Sequence, residues 1–384
     1  MKKIASILIL VLTLTTIFSS SILAVSDFDV PVESAILIEA ETGEVLFEKN
    51  ADKVVPPASI TKIMTLLLAM EAIDNGQLSL EDEITISKKA ESMGGSQIFL
   101  PDGISLKLEE LLEAVAMASA NDASVAVAEA VGGSYGNFIH MMNQKRKELG
   151  MDNTNFVNST GLPAENHYST ARDISIMARE LVKHKKVLDW SSKWLDYIEL
   201  PERNAMVVNT NKLINKYDGL DGLKTGHTQE AGFCLAGTAK NNEMRLISVV
   251  LDAETDTERE KVTTDLLDYG FNNFIKNEIV VSDEVIENIQ IPNGKKTVTT
   301  AKTAKDYSTV VKIGQGDSYD VKTKLKNDIK APLNEGDILG QKVIYEDEKE
   351  IASVNIIATE NIEKANIFTR FLRSVKNWFS NLFS

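Results

Sequence analysis

Short β-type runs at residues 35–40 and 45–48 flank Glu41-Thr42-Gly43-Glu44 and predict a hairpin near the start of the chain. Pro56-Pro57 then stops the chain ahead of a strongly apolar helix over 60–73. Residues 108–131 form a second apolar helical region, interrupted at Ser119-Ala120-Asn121-Asp122. Further helices are predicted over 135–149, ended by Gly150, and over 172–184. Strands at 233–238 and 246–251 bracket Lys240-Asn241-Asn242-Glu243, a second hairpin, and a helix over about 257–275 follows. After about Asn277 the texture changes to short β-type runs with Gly and Asn turns, which predicts a separate small all-β domain over 278–360.

Both ends of the chain depart from this pattern. Lys2 and Lys3 precede an uncharged run, 4–18, and a Ser-rich exit leads to Ala24, the layout of a signal peptide over 1–24. An uncleaved anchor is the competing reading, because no charge appears until Asp27. Over 362–384, Phe368, Phe371, Leu372, Val375, Trp378, Phe379 and Leu382 recur at three- and four-residue steps, so they share one helical stripe. Lys364, Arg370, Arg373 and Lys376 against Glu363 make this segment basic. An in-plane helix on an anionic membrane surface fits that composition, and a terminal helix docked on the protein's own core is the alternative.

Of the 384 residues, 43% are apolar and 25% charged, with a net charge of −15. Such an acidic balance excludes a generic nucleic-acid binder. A single cysteine, Cys234, rules out an internal disulfide framework and reads as a buried core residue. The four histidines, His140, His167, His184 and His227, show no metal-ligand spacing, so neither a metal nor another cofactor is expected.

Three short elements carry candidate chemistry. Ser59-Ile60-Thr61-Lys62 places a hydroxyl and an ammonium three residues apart at a helix start, where they can touch. Lys62 lies inside an apolar run, and burial lowers a lysine pKa toward that of a usable base. Ser119-Ala120-Asn121 falls where a helical pattern breaks, so a turn would present both polar side chains together. Lys224-Thr225-Gly226 lies on a β-like segment, with Lys224 and Gly226 on one face; Gly226 would let a substrate backbone approach closely. Each element alone is weak: an N-capping serine, a helix–helix turn and an exposed turn would explain them.

In this order, S-x-x-K, S-x-N and K-T-G form the signature of penicillin-binding proteins and serine β-lactamases. The stretches Gly94-Gly95-Ser96-Gln97, Gly161-Leu162, Tyr168 to Asp173, Asn209-Thr210-Asn211, Gly222 to Thr228 and Arg259 to Phe271 sharpen the match. Over about 31–275 the chain resembles the low-molecular-mass D-alanyl-D-alanine carboxypeptidases. Ala120 departs from the Gly or Asp of many relatives, at a position that supplies no essential group.

The resemblance implies an α/β (α+β) β-lactamase/transpeptidase-like domain over 27–277, with an antiparallel sheet and a helical cluster. A small all-β domain and a C-terminal amphipathic helix would follow. It implies a penicillin-sensitive serine carboxypeptidase that removes the terminal D-alanine of peptidoglycan stem peptides, with β-lactams as covalent inhibitors. Ser59 would be the nucleophile, Lys62 its base and Ser119 a proton relay, while Asn121 would hold the substrate's backbone amide. Lys224 and Thr225 would bind the terminal carboxylate region, with Arg259 supporting it unless it is a surface helix charge. The backbone N–H groups of Ser59 and His227 would form the oxyanion hole. The protein would be exported and sit at the outer face of the cytoplasmic membrane or in the wall. A D,D-endopeptidase on cross-linked peptides is the nearest alternative. A class A β-lactamase would need a deacylating glutamate, and Glu165-Asn166 lacks the required spacing. A non-catalytic peptidoglycan-binding protein would have no use for a buried base.

Overall fold

A computed structural model describes residues 28–314 and 319–382. The expected signal segment, 1–24, lies outside the described residues.

Both sequence-predicted hairpins enter one antiparallel sheet. Strands β1 (Ser34–Glu39) and β2 (Val45–Lys49) form the first hairpin, and β3 (Leu220–Thr228), β4 (Gly232–Asn241) and β5 (Met244–Ala253) the rest. Their order is β2-β1-β5-β4-β3, so β3 is an edge strand. Every residue of β1 is buried, which requires cover on both faces. Ile36 and Ile38 belong to the main core, packed with the helices, whereas Leu37 lies beside Gly270 on the other face. That split is the two-residue alternation of a strand.

The helical side comprises α1 (Lys62–Asp74), α2 (Leu108–Met117), α3 (Asn121–Gly132), α4 (Tyr135–Glu148) and α5 (Ala171–Leu181). Helix α1 is buried nearly all round, as its unbroken apolar run requires. A 3-10 turn, Ala58–Thr61, precedes it and carries Ser59. On the opposite face lies α6 (Asp256–Asn273). Sequence reading extends this helix to 275, but Phe274 is already extended (φ −130°, ψ 150°) and packs edge-on against Tyr269. The aromatic contact turns the chain into β6 (Phe274–Val280), so the β-texture starts at 274.

The strands that follow β6 are β7 (Val285–Gln290), β8 (Val298–Thr303), β9 (Tyr307–Lys312), β10 (Tyr319–Leu325), β11 (Ile338–Glu346) and β12 (Lys349–Ala358). β6 pairs with β9, and the others form a five-stranded sheet in the order β7-β8-β12-β11-β10. The last helix, α7, spans Ile367–Leu382, five residues later than the pattern predicts. Ile362 bridges to Leu333, and Ile362 and Ala365 are buried, so this stretch belongs to the β-domain. A ribbon of Leu195–Leu200 with Arg203–Val208 and a short helix, Lys185–Ser191, have no counterpart in the sequence prediction.

Candidate active site

The three motifs meet at one place. Lys62 is fully buried, and its Nζ lies 3.0 Å from Ser59 Oγ, 2.7 Å from Asn121 Oδ1 and 2.6 Å from the Thr160 carbonyl oxygen. Two of these neighbours are carbonyl-type oxygens that only accept, and the third is a hydroxyl that can also donate. A neutral amine has two N–H bonds and one lone pair, so it fits this trio with the lone pair toward Ser59. Burial pushes the Lys62 pKa well below its ordinary value, and the charge of Lys224 adds to the shift, against an opposing pull from Asp122. Its place at the start of α1 further disfavours a cation.

Ser59 is half-buried. Ser119 sits in the left-handed region (φ 59°), and its buried Oγ has no hydrogen-bond partner among the described residues. Asn121 is anchored at both ends of its amide. Its Oδ1 accepts from Lys62, and its Nδ2 donates to the Gly94 carbonyl at 2.7 Å. These contacts fix the amide beside the lysine and use one of its two N–H groups.

Lys224, Thr225 and Gly226 lie on the edge strand β3, beside the Ser59 turn. Lys224 Nζ donates to the Thr225 carbonyl at 2.9 Å, and burial pushes its pKa down to about 7, helped by the charge of Arg259. Thr225 Oγ1 is 2.7 Å from Thr210 Oγ1. A methyl group at Gly226 would lie 3.1 Å from both the Ala58 Cβ and the Ser59 amide nitrogen. The missing side chain therefore admits the nucleophile turn. His227 is exposed, its ring 4.1 Å from that of Phe233.

Arg259 is only 4% exposed, which removes the surface-charge reading. It pairs with Asp256 and reaches the Cys234 carbonyl at 3.5 Å, so it acts on the site through charge on Lys224. Cys234 is buried and burial pushes its thiol up to about 11, as suits a core residue. Glu165 is exposed. Sequence reasoning gives no role to the Thr160 carbonyl or to Gly161. At Gly161 (φ 82°) a methyl group would lie 1.8 Å from the Ala58 carbonyl oxygen, so only glycine fits against the turn. The pair Gly161-Leu162 is the sole sequence signal that touches this wall.

Residues 22–255 match the family model for D-alanyl-D-alanine carboxypeptidase, and 274–364 match the model for the C-terminal domain of penicillin-binding protein 5. The chain is 40% identical to the D-alanyl-D-alanine carboxypeptidase DacF of Bacillus subtilis, over 98% of this chain and 99% of that one. Penicillin-binding protein 5 from Haemophilus influenzae superposes with a TM-score of 0.73 at 29% identity, covering 88% of this chain and all of that one. Penicillin-binding protein D2 from Listeria monocytogenes, in its ampicillin-bound form, gives 0.58 at 35% identity, covering 64% of this chain and 100% of that one. The chain belongs to the D-alanyl-D-alanine carboxypeptidase family, the low-molecular-mass penicillin-binding proteins. Its activity is that of a serine-type carboxypeptidase.

Proposed function

We propose that Ser59 attacks the carbonyl carbon of the penultimate D-alanine of a stem peptide and that Lys62 takes the hydroxyl proton. The observation that carries this reading is the Lys62 amine, whose two carbonyl-type acceptors leave its third direction for Ser59 Oγ. Charge developing on the substrate oxygen meets the backbone N–H groups of Ser59 and His227. As the C–N bond breaks, the departing amine of the terminal D-alanine receives a proton through Ser119, whose unpartnered hydroxyl is available for that transfer. Water then cleaves the ester and returns the proton to Ser59. Lys224, with Thr225 beside it and Arg259 behind it, forms a positive wall for the terminal carboxylate. The free edge of β3 can pair with an extended peptide. A chain lacking residues 1–24 is expected to release D-alanine from a stem pentapeptide and to leave cross-linked dimers intact. Cleavage of the dimer at a comparable rate, read by chromatography, would make the enzyme an endopeptidase instead.

The substrate is a cell-wall peptide, so the enzyme works outside the cytoplasm. No helix among the described residues is long and apolar enough to cross a membrane. We assign α7 to the outer membrane surface, lying in its plane. Ile367, Phe368, Phe371 and Leu372 are all more than half exposed, an apolar stripe left without cover from the protein. Arg373, counted with the lipid-facing charges in the sequence, donates instead to the carbonyls of Gly294 and Lys295 at 2.6 and 2.7 Å. It fastens the helix to the β-domain, and of the other basic residues Lys364 and Arg370 remain for the lipid role, while the Lys376 side chain lies outside the described residues. Truncation after Asn366, which spares buried Ile362 and Ala365, is expected to free the enzyme from anionic vesicles with its penicillin reactivity intact. Retention on vesicles in a sedimentation assay, or loss of reactivity through unfolding, would make α7 a core helix.

A further inference from the structure

Behind the Ser59 turn runs a line of hydrogen bonds that the reaction above does not use. His167 is 6% exposed, and its Nδ1 accepts from the Val157 N–H at 3.1 Å. The lone pair of the ring is thereby placed on Nδ1, and the proton of the neutral imidazole on Nε2. Nε2 is 2.7 Å from Thr61 Oγ1, and the Thr61 hydroxyl donates to the Ala58 carbonyl at 2.9 Å. Every proton in the line has one place: ring N–H to hydroxyl oxygen, hydroxyl hydrogen to carbonyl. Burial pushes the ring pKa down to about 4, so the neutral form prevails at neutral pH. An imidazolium would set an N–H against the Val157 N–H.

The end of the line matters because of what shares the Ala58 carbonyl's plane. The Ala58 C=O and the Ser59 N–H belong to one planar peptide and point in opposite directions. Fixing the carbonyl fixes the amide. Ala58 has φ 46°, a region that a residue with a Cβ enters only at a cost. Something must hold that peptide against relaxation. Gly161 closes on the carbonyl from one side, and Gly226 lies against the Ser59 nitrogen. The Thr61 hydroxyl adds a directional side-chain pull on the Ala58 oxygen to the backbone bonding of the 3-10 turn.

We propose that His167 is a positioning residue, acting through Thr61 to hold the Ala58–Ser59 peptide with its N–H aimed at the reacting carbonyl oxygen. The proposal rests on the assignment of Ser59 as nucleophile and of its amide as an oxyanion donor. A histidine buried for packing alone would affect stability and leave the rate of each folded active site unchanged.

The test resolves acylation by benzylpenicillin into a non-covalent dissociation constant and an acylation rate constant per titratable site. Thr61→Val keeps the shape and removes the hydroxyl. His167→Asn keeps an acceptor near Nδ1 but has no donor at the Nε2 position, whereas His167→Gln restores a donor there. Thr61→Val and His167→Asn are expected to lower the rate constant by roughly 10- to 100-fold, part of the ~10²–10³-fold loss for a missing oxyanion donor. The dissociation constant should not move, the double variant should be no slower than the singles, and His167→Gln should recover most of the rate. A normal rate constant in Thr61→Val overturns the proposal, as do additive losses or a fall in the fraction of active sites alone. If His167→Asn does not fold, Thr61→Val decides. Mass spectrometry separates the two levels. An adduct on Ser59 with unchanged rates removes the relay only, and an adduct elsewhere removes the nucleophile assignment.

Discussion

Ser59→Ala will give a folded protein that forms no covalent adduct with penicillin and releases no D-alanine from a stem pentapeptide. The substitution removes one oxygen whose side-chain contact is Lys62 Nζ at 3.0 Å. Lys62 keeps Asn121 Oδ1 and the Thr160 carbonyl as acceptors, so no buried donor is orphaned. Alanine also suits the 3-10 turn, which is set by Pro57, the left-handed Ala58 and the two glycines packed against it. Stability should therefore stay within about 1 kcal/mol of the parent, the net scale of the one hydrogen bond lost. Activity, in contrast, falls to background, because no other described hydroxyl touches Lys62 Nζ. Intact-protein mass spectrometry after penicillin exposure, with a denaturation curve beside it, reads both halves. An adduct of full yield on the variant would place the nucleophile elsewhere.

How much of this was legible in the sequence depends on whether a feature is local. Hairpin β1–β2 and helix α1 follow from short-range signals, a Thr-Gly turn and an apolar run behind two prolines. The Ser59–Lys62 contact is equally local, since its partners are three residues apart. Other parts of the site join positions far apart in the chain and leave no local trace. Asn121 reaches Lys62 across 59 residues, and the Thr160 carbonyl across 98. A backbone carbonyl has no residue signature at all. Gly226 was legible as a place of close approach, but the sequence does not say which chain approaches. Arg259 sits on a helix with charged neighbours and looks exposed in one dimension, yet the sheet covers it. His167 offers only the absence of metal-ligand spacing, because its bonds run to a main-chain N–H and to a threonine 106 residues away. The ribbon at 195–208 escapes notice since its strands are only six residues each and carry charged and polar residues such as Asp196, Glu199, Arg203 and Asn204, although buried and exposed positions alternate along them.

Lys62→Arg will slow acylation by at least ~100-fold, the usual contribution of a general base, because a guanidinium does not deprotonate at working pH. Arginine is larger than the buried lysine, so a denaturation curve must accompany the rate, and the pH profile supplies a second, independent measure. Below its folded-state pKa the Lys62 amine is an ammonium with no lone pair, and the Ser59 proton has no acceptor. The acylation rate of the parent enzyme should thus rise with pH through that pKa, which burial holds well below 10.5. The charge on Lys224 is the second cause of the depression, so Lys224→Gln should move the rising limb to higher pH. Lys224 itself loses its proton near pH 7, and the displacement should be largest below that point. The same shifts fix the sign of the stability profile. Between the folded-state pKa and 10.5 the unfolded chain holds a proton that the folded lysine has released, so stability rises with pH across that window. Stopped-flow acylation of the parent, Lys62→Arg and Lys224→Gln across pH would decide the matter. A limb that stays in place when the Lys224 charge is removed, or a near-parental rate in a folded Lys62→Arg, would mean that another group takes the Ser59 proton.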